Sequence, residues 1–180
     1  MKASHAFAML LLAATVAGCA RREAAEDETA DTAQAPSATA AAADPIDLPP
    51  PEITPVTVEI TLSPAAEAQM KATSEAIAIE VTYGGDPNAQ AGDNVNEFGL
   101  VELGKVKREL KGAGTVLLTE DVIDKSKLAQ TVGQPQIMIN TLSAKKGSAE
   151  NILNCPFYWD TLNTAGKAPV KIACKLRSES

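Results

Sequence analysis

Residues 55–180 predict an all-β domain, an antiparallel two-sheet β-sandwich of about seven strands, immunoglobulin-like or transthyretin-like in type. Three observations carry this. Apolar and polar residues alternate strictly in three segments. Turn-forming clusters recur between the apolar runs. The one or two helical patterns are short.

The first strand starts at Val56, where Val56, Val58, Ile60 and Leu62 alternate with Thr57, Glu59 and Thr61. Ser63 then caps a short helix, with Pro64 at its first position and Ala-rich residues to Ala72. A second strand places Ile77, Ile79, Val81 and Tyr83 opposite Ala78, Glu80 and Thr82, and Gly84-Gly85-Asp86-Pro87 reads as the turn ending it. Less regular strands are expected near 99–110, 115–119, 136–142 and 150–155. Their punctuation is Lys111-Gly112-Ala113-Gly114, a hairpin turn at Lys145-Lys146-Gly147-Ser148, and Asn163-Thr164-Ala165-Gly166. Thr119 is the cap of a second helix, with Glu120 and Asp121 in its first turn, running to about Gln130. In the last strand Val170, Ile172, Cys174 and Leu176 alternate with Lys171, Ala173, Lys175 and Arg177.

The first 54 residues read differently. Lys2 precedes the apolar run Ala6-Phe7-Ala8-Met9-Leu10-Leu11-Leu12-Ala13-Ala14, and small residues lead to Val16-Ala17-Gly18-Cys19. This stretch resembles the lipobox signal of bacterial lipoproteins. The resemblance covers residues 1–19 only. It implies that residues 1–18 are a signal peptide, that Cys19 carries covalent lipid, and that two or more acyl chains give stable anchoring. Ala20 follows the cysteine, where an Asp would imply retention in the inner membrane. The implied location is therefore the periplasmic side of the outer membrane, or the exterior of the cytoplasmic membrane in a Gram-positive host.

Residues 20–54 hold 2 basic and 8 acidic residues, no aromatic residue, and the triplet Pro49-Pro50-Pro51. Such a segment cannot bury enough apolar surface to offset its ordering entropy, so 19–54 reads as a lipidated cysteine followed by a disordered acidic Ala/Pro-rich linker. As a flexible coil it holds the domain on the order of 30 Å from the membrane. Residues 55–180 hold 13 basic and 15 acidic residues, so the acidity belongs to the linker and the domain is nearly balanced. An acidic tether is poorly suited to phosphate backbones, which argues against nucleic acid as a partner.

Removing the signal also removes His5, the sole histidine. Ser-His-Asp and Cys-His catalysis and imidazole zinc sites are thereby excluded from the domain. With Cys19 lipidated, Cys155 and Cys174 remain and are expected to pair in an oxidising compartment. Their spacing is far from Cys-x-x-Cys, which favours a structural bridge over a redox pair.

Several groups of residues are candidate sites. Phe157-Tyr158-Trp159 are three of the five aromatic residues left after the signal. On a strand Phe157 and Trp159 share one face while Tyr158 takes the other. Most of the cluster is expected in the core, with the remainder an exposed anchor for a protein or glycan. Asp86, Asn88, Gln90, Asn94 and Glu97 fall at positions 1, 3, 5, 9 and 12 of a loop resembling the calcium loop of EF-hands. Its glycine is Gly92 rather than residue 91, and its flanks read as strands, so a polar connecting loop is the plainer reading. No cofactor is expected beyond the lipid on Cys19 and this weak calcium possibility.

Ser143-Ala144-Lys145-Lys146 has Ser-x-x-Lys spacing but no Lys-Thr-Gly companion, and it reads as a chance match. Two basic runs, Lys105, Lys107, Arg108 and Lys111, then Lys171, Lys175 and Arg177, suit either an acidic partner or protection of edge strands by charge. Carboxylate chemistry survives the loss of histidine, with Asp160 and several glutamates available.

The function expected is a membrane-anchored envelope lipoprotein with a non-enzymatic binding or scaffolding domain. Its partner is another envelope protein or a cell-wall component. The alternatives are an inhibitor of an envelope-degrading enzyme such as lysozyme, and a carboxylate-based hydrolase.

Overall fold

The computed structural model describes residues 48–179. The signal-like segment, Cys19 and most of the linker lie outside the described residues.

Among the described residues, eight strands form two four-stranded sheets. In chain order they are β1 (Val56–Leu62), β2 (Ile77–Pro87), β3 (Val101–Leu110), β4 (Gly114–Leu118), β5 (Thr131–Ser143), β6 (Leu153–Asn154), β7 (Tyr158–Thr161) and β8 (Val170–Leu176). One sheet has the order β4-β1-β8-β6 and the other β3-β2-β5-β7. The alternation seen in the sequence explains the layers. Val56, Val58 and Ile60 of β1 and Ile172 and Cys174 of β8 enter one core cluster with Ile77, Ile79 and Val81 of β2 and Ile137 and Ile139 of β5. The expected two-sheet sandwich is present.

One pairing is not antiparallel. β1 and β8, the first and last strands, run parallel, with Val58 beside Val170 and Ile60 beside Ile172. Alternation fixes which side chains face inward and is silent on strand direction.

The first helix, α1 (Pro64–Ala72), forms as expected. Ser63 Oγ accepts the Ala66 N–H at 3.1 Å, and Ala66 and Met70, one turn apart, are its buried residues. A second short helix, α2 (Leu162–Ala165), occupies part of the stretch expected as a turn at 163–166.

Four other expectations are corrected. The helix expected from Thr119 to Gln130 is two 3₁₀ segments, Glu120–Val122 and Lys125–Gln130. Val122, Ile123 and Leu128 make no helical stripe, and only Ile123 is buried. Gly84-Gly85-Asp86-Pro87 does not end β2, because bulges at Tyr83/Gly84 and Gly84/Asp86 carry the strand on to Pro87. The strand near 150–155 shrinks to Leu153–Asn154. Lys145–Ser148 is not a hairpin turn, since β5 and β6 lie in different sheets.

Candidate functional site

The outer face of the β3-β2-β5-β7 sheet carries the most distinctive surface of the described residues. Pairing of β5 with β7 sets Met138 beside Trp159 and Ile139 beside Tyr158. Trp159 therefore points outward and Tyr158 inward, where it packs against the core cluster. Phe157 falls on the same side as Trp159. This corrects the expectation that most of the aromatic run is core, since Phe157 is 50% and Trp159 46% exposed. Burial pushes the Tyr158 hydroxyl above its usual pKa, and the neighbouring Asp160 adds to the shift.

A third ring joins them from the β2–β3 connection. Phe98 lies 5.8 Å from Trp159 and 6.5 Å from Phe157, centroid to centroid, and Phe157 and Trp159 are 6.4 Å apart. Those distances and the edge-on geometries are in the favourable range for aromatic pairs. A tight local structure presents Phe98. Asn96 Oδ1 accepts from the N–H groups of Phe98 at 3.0 Å and Leu100 at 3.1 Å. Gly99 follows with φ +75°, a conformation that L side chains rarely adopt. Leu100 is buried against the bulge, where a Cβ on Gly84 would stand 2.9 Å from Leu100 Cδ1. The bulge glycine thus lets the loop close down on the sheet. Trp159 is oriented in turn by donating Nε1–H to Gln136 Oε1 at 2.5 Å.

Next to the rings lies an open groove of about 440 Å³. Phe98 and Phe157 form one wall, Thr82, Met138 and Asn140 the floor, and Lys105 and Lys107 of the edge strand the far wall. Lys107 Nζ sits 3.2 Å from Glu80, and Lys105 Nζ 2.7 Å from Glu102, so each lysine has a carboxylate partner. Glu80 and Glu97 both line this groove.

The other candidates are dispersed. In the loop resembling an EF-hand, Asn88 donates its amide to Ala129 O at 2.9 Å and Thr131 O at 3.2 Å, and its Oδ1 accepts from Gln90 N–H. Asn94 donates to Gln130 Oε1. Asp86 is exposed and lies in β2, paired with Val132, while Glu97 faces the groove. Among the described residues no three His, Cys, Asp or Glu side chains gather as a metal-binding group. Ser143 is fully buried and accepts the Ile152 N–H, whereas Lys146 pairs with Glu109, so the Ser-x-x-Lys spacing brings no serine to a lysine. Lys105, Lys107 and Arg108 of the first basic run do lie on an edge strand, β3, and Lys111 follows its end. The second starts on β8, which meets β6 only at Lys175 and Leu176, so among the described residues the stretch carrying Lys171 has a strand neighbour, β1, on one side only. Cys155 and Cys174 are joined, with Cα atoms 4.3 Å apart.

Phe98 was not legible as a site residue. Its one signal is an aromatic residue in the mostly polar stretch Asn94-Val95-Asn96-Glu97-Phe98-Gly99. A large apolar side chain at the tip of a polar loop calls for a partner. Comparison of the chain with protein-family models, curated proteins and solved structures returns no significant match. Among the described residues no helix is long and apolar enough to cross a membrane.

Proposed function

We propose that this chain is a lipid-anchored envelope protein whose β-sandwich is a non-enzymatic binding or scaffolding domain. It works from the periplasmic side of the outer membrane. The anchoring half of this reading rests on the lipobox-like Val16-Ala17-Gly18-Cys19. The binding half rests on one observation, the exposed cluster of Phe98, Phe157 and Trp159 beside a groove. Exposed large apolar groups held in place by their own framework are the usual mark of a recognition surface.

Two experiments test the two halves. Labelled palmitate should enter the full chain and be lost in Cys19→Ala, and the labelled protein should fractionate with the outer membrane. A photo-crosslinking amino acid at position 157 in living cells should give an adduct that the same probe at position 171, on the other sheet, does not. Equal products at both positions, or none, would refute a binding face.

One observation favours a second reading, a carboxylate-based hydrolase, because Glu80 and Glu97 share one groove. New reducing ends on incubation with oligosaccharide, lost in Glu97→Gln, would support it. Their absence with the wild-type chain would dismiss it.

A further inference from the structure

We infer that the groove beside Phe98 and Phe157 binds a neutral glycan of N-acetylated hexopyranose units, an inference that rests on the binding reading above and names its ligand. Three features of the surface select this chemistry.

The first is the form of the apolar wall. Aromatic rings with exposed faces match the flat C–H face of a pyranose, which sets slightly positive hydrogens against the negative face of the ring. Of the aliphatic residues lining the groove, Val81 and Val106 pack in or against the core, and Met138 lies on the floor. The second is the polar complement. Asn140 offers an amide on the floor next to Met138, with Thr82 beside them. An amide next to an apolar surface is the counterpart of an N-acetyl group, whose carbonyl and N–H take hydrogen bonds while its methyl needs an apolar seat. Concave sites of this kind draw affinity from apolar walls and orientation from a few convergent polar groups.

The third feature is charge. Each groove lysine has a carboxylate partner, Lys107 with Glu80 and Lys105 with Glu102. A polyanion would have to compete with those carboxylates for the lysines and also face Glu97 in the groove. A neutral polyhydroxylated chain leaves the pairs intact and uses their remaining donors and acceptors. The same ion pairs, with Thr82 and Asn140 on the floor, disfavour the bilayer surface as occupant.

Trp159 is the sole tryptophan and touches Phe98, so it reports on the site without lining the groove. The test titrates tetra-N-acetylchitotetraose into the full-length lipidated chain held in amphipol and, separately, in nanodiscs of zwitterionic phospholipid. The signals followed are Trp159 fluorescence and heat. The expected result is saturable binding in both. Phe157→Ala and Asn140→Ala should each weaken it by about tenfold or more, with thermal unfolding unchanged. A sugar-independent response would overturn the inference, as would binding unaltered in both variants.

Two other outcomes also overturn it, and they name the alternative. If Trp159 is shielded from aqueous quenchers in nanodiscs but not in amphipol, and sugar has no effect, the cluster rests on lipid. If sugar has no effect but the probe at position 157 captures a protein, the binding face stands and the glycan assignment falls.

Discussion

Ser148 donates its hydroxyl to Glu75 Oε2 at 3.0 Å, across a sequence separation of 73 residues. The same carboxylate accepts the N–H groups of Lys146 at 2.9 Å, Gly147 at 2.9 Å and Ser148 at 3.1 Å, and it is only 3% exposed. One acidic side chain thus holds the β5–β6 connection, where the chain crosses between sheets.

That arrangement predicts a specific acid sensitivity. Burial by itself raises the Glu75 pKa, but the donors from Lys146, Gly147, Ser148 and Ala76 outweigh it and bring the group down to about 2. The folded pKa lies below the unfolded value of 4.5. The stabilisation is therefore fully present above the unfolded value and drains away as pH falls toward the folded one. Its size is on the order of 3 kcal/mol. Glu75→Gln should lose that amount at neutral pH, because an amide sets its own N–H donors against backbone donors. It should also flatten the pH dependence of urea unfolding across that window. An unchanged slope would show that other carboxylates govern acid unfolding.

The disulfide links stability to the site. Cys155 precedes Phe157 by two residues, and Cys174 lies in β8 of the opposite sheet, so the bridge fixes where the aromatic strand begins. With a sequence separation of 19, the chain-entropy model gives about 3 kcal/mol. Cys155→Ala combined with Cys174→Ala should lower the melting temperature and increase the rotational freedom of Trp159, read as fluorescence anisotropy. A lower melting temperature with unchanged anisotropy would separate the bridge from the site.

Much of this was legible from period alone. Val56–Leu62 and Val170–Leu176 display their inward faces in the sequence, because one residue in two must be apolar when only one side of a strand meets the core. Their parallel pairing was not, since direction depends on contacts between the two ends of the domain. Phe157 and Trp159 were correctly paired on one face by alternation. Their exposure depends on what covers β7, and nothing local encodes that. Gly84-Gly85 misled for a related reason. Glycine permits a turn and a bulge equally, and Leu100 pressing on Gly84, some sixteen residues along the chain, is what selects the bulge.

Tyr83 predicts an effect of opposite sign. Its ring fills the core at 1% exposure, yet among the described residues its hydroxyl finds no hydrogen-bond partner. Burial pushes the phenol up to about 12, with Arg108 opposing and Asp121 reinforcing the shift, so it stays neutral at physiological pH. A buried hydroxyl without a partner carries a desolvation cost and no compensating bond. Tyr83→Phe should therefore leave stability unchanged or raise it by up to about 1 kcal/mol, measured by urea unfolding. A loss above about 1 kcal/mol would reveal a hydrogen bond to the hydroxyl in solution.

The aromatic cluster is pre-formed only if its rings stabilise one another, and a double-mutant cycle decides this. Phe98 reaches Trp159 from a loop, and its ring contacts are with Phe157 and Trp159. Phe98→Ala alone should cost little stability, since the ring is 40% exposed. If the loop rests on the strand in solution, the coupling energy between Phe98→Ala and Trp159→Ala should be about 0.5–1.5 kcal/mol, the range for aromatic pairs. The corresponding cycle between Phe98 and Leu117, an exposed residue on the other sheet, should give none. A zero for both would mean that the loop samples positions away from β7, and that a ligand must assemble the groove before filling it. The bound state would then carry an ordering cost, and affinity would rise in a variant that stiffens the Asn96–Leu100 turn.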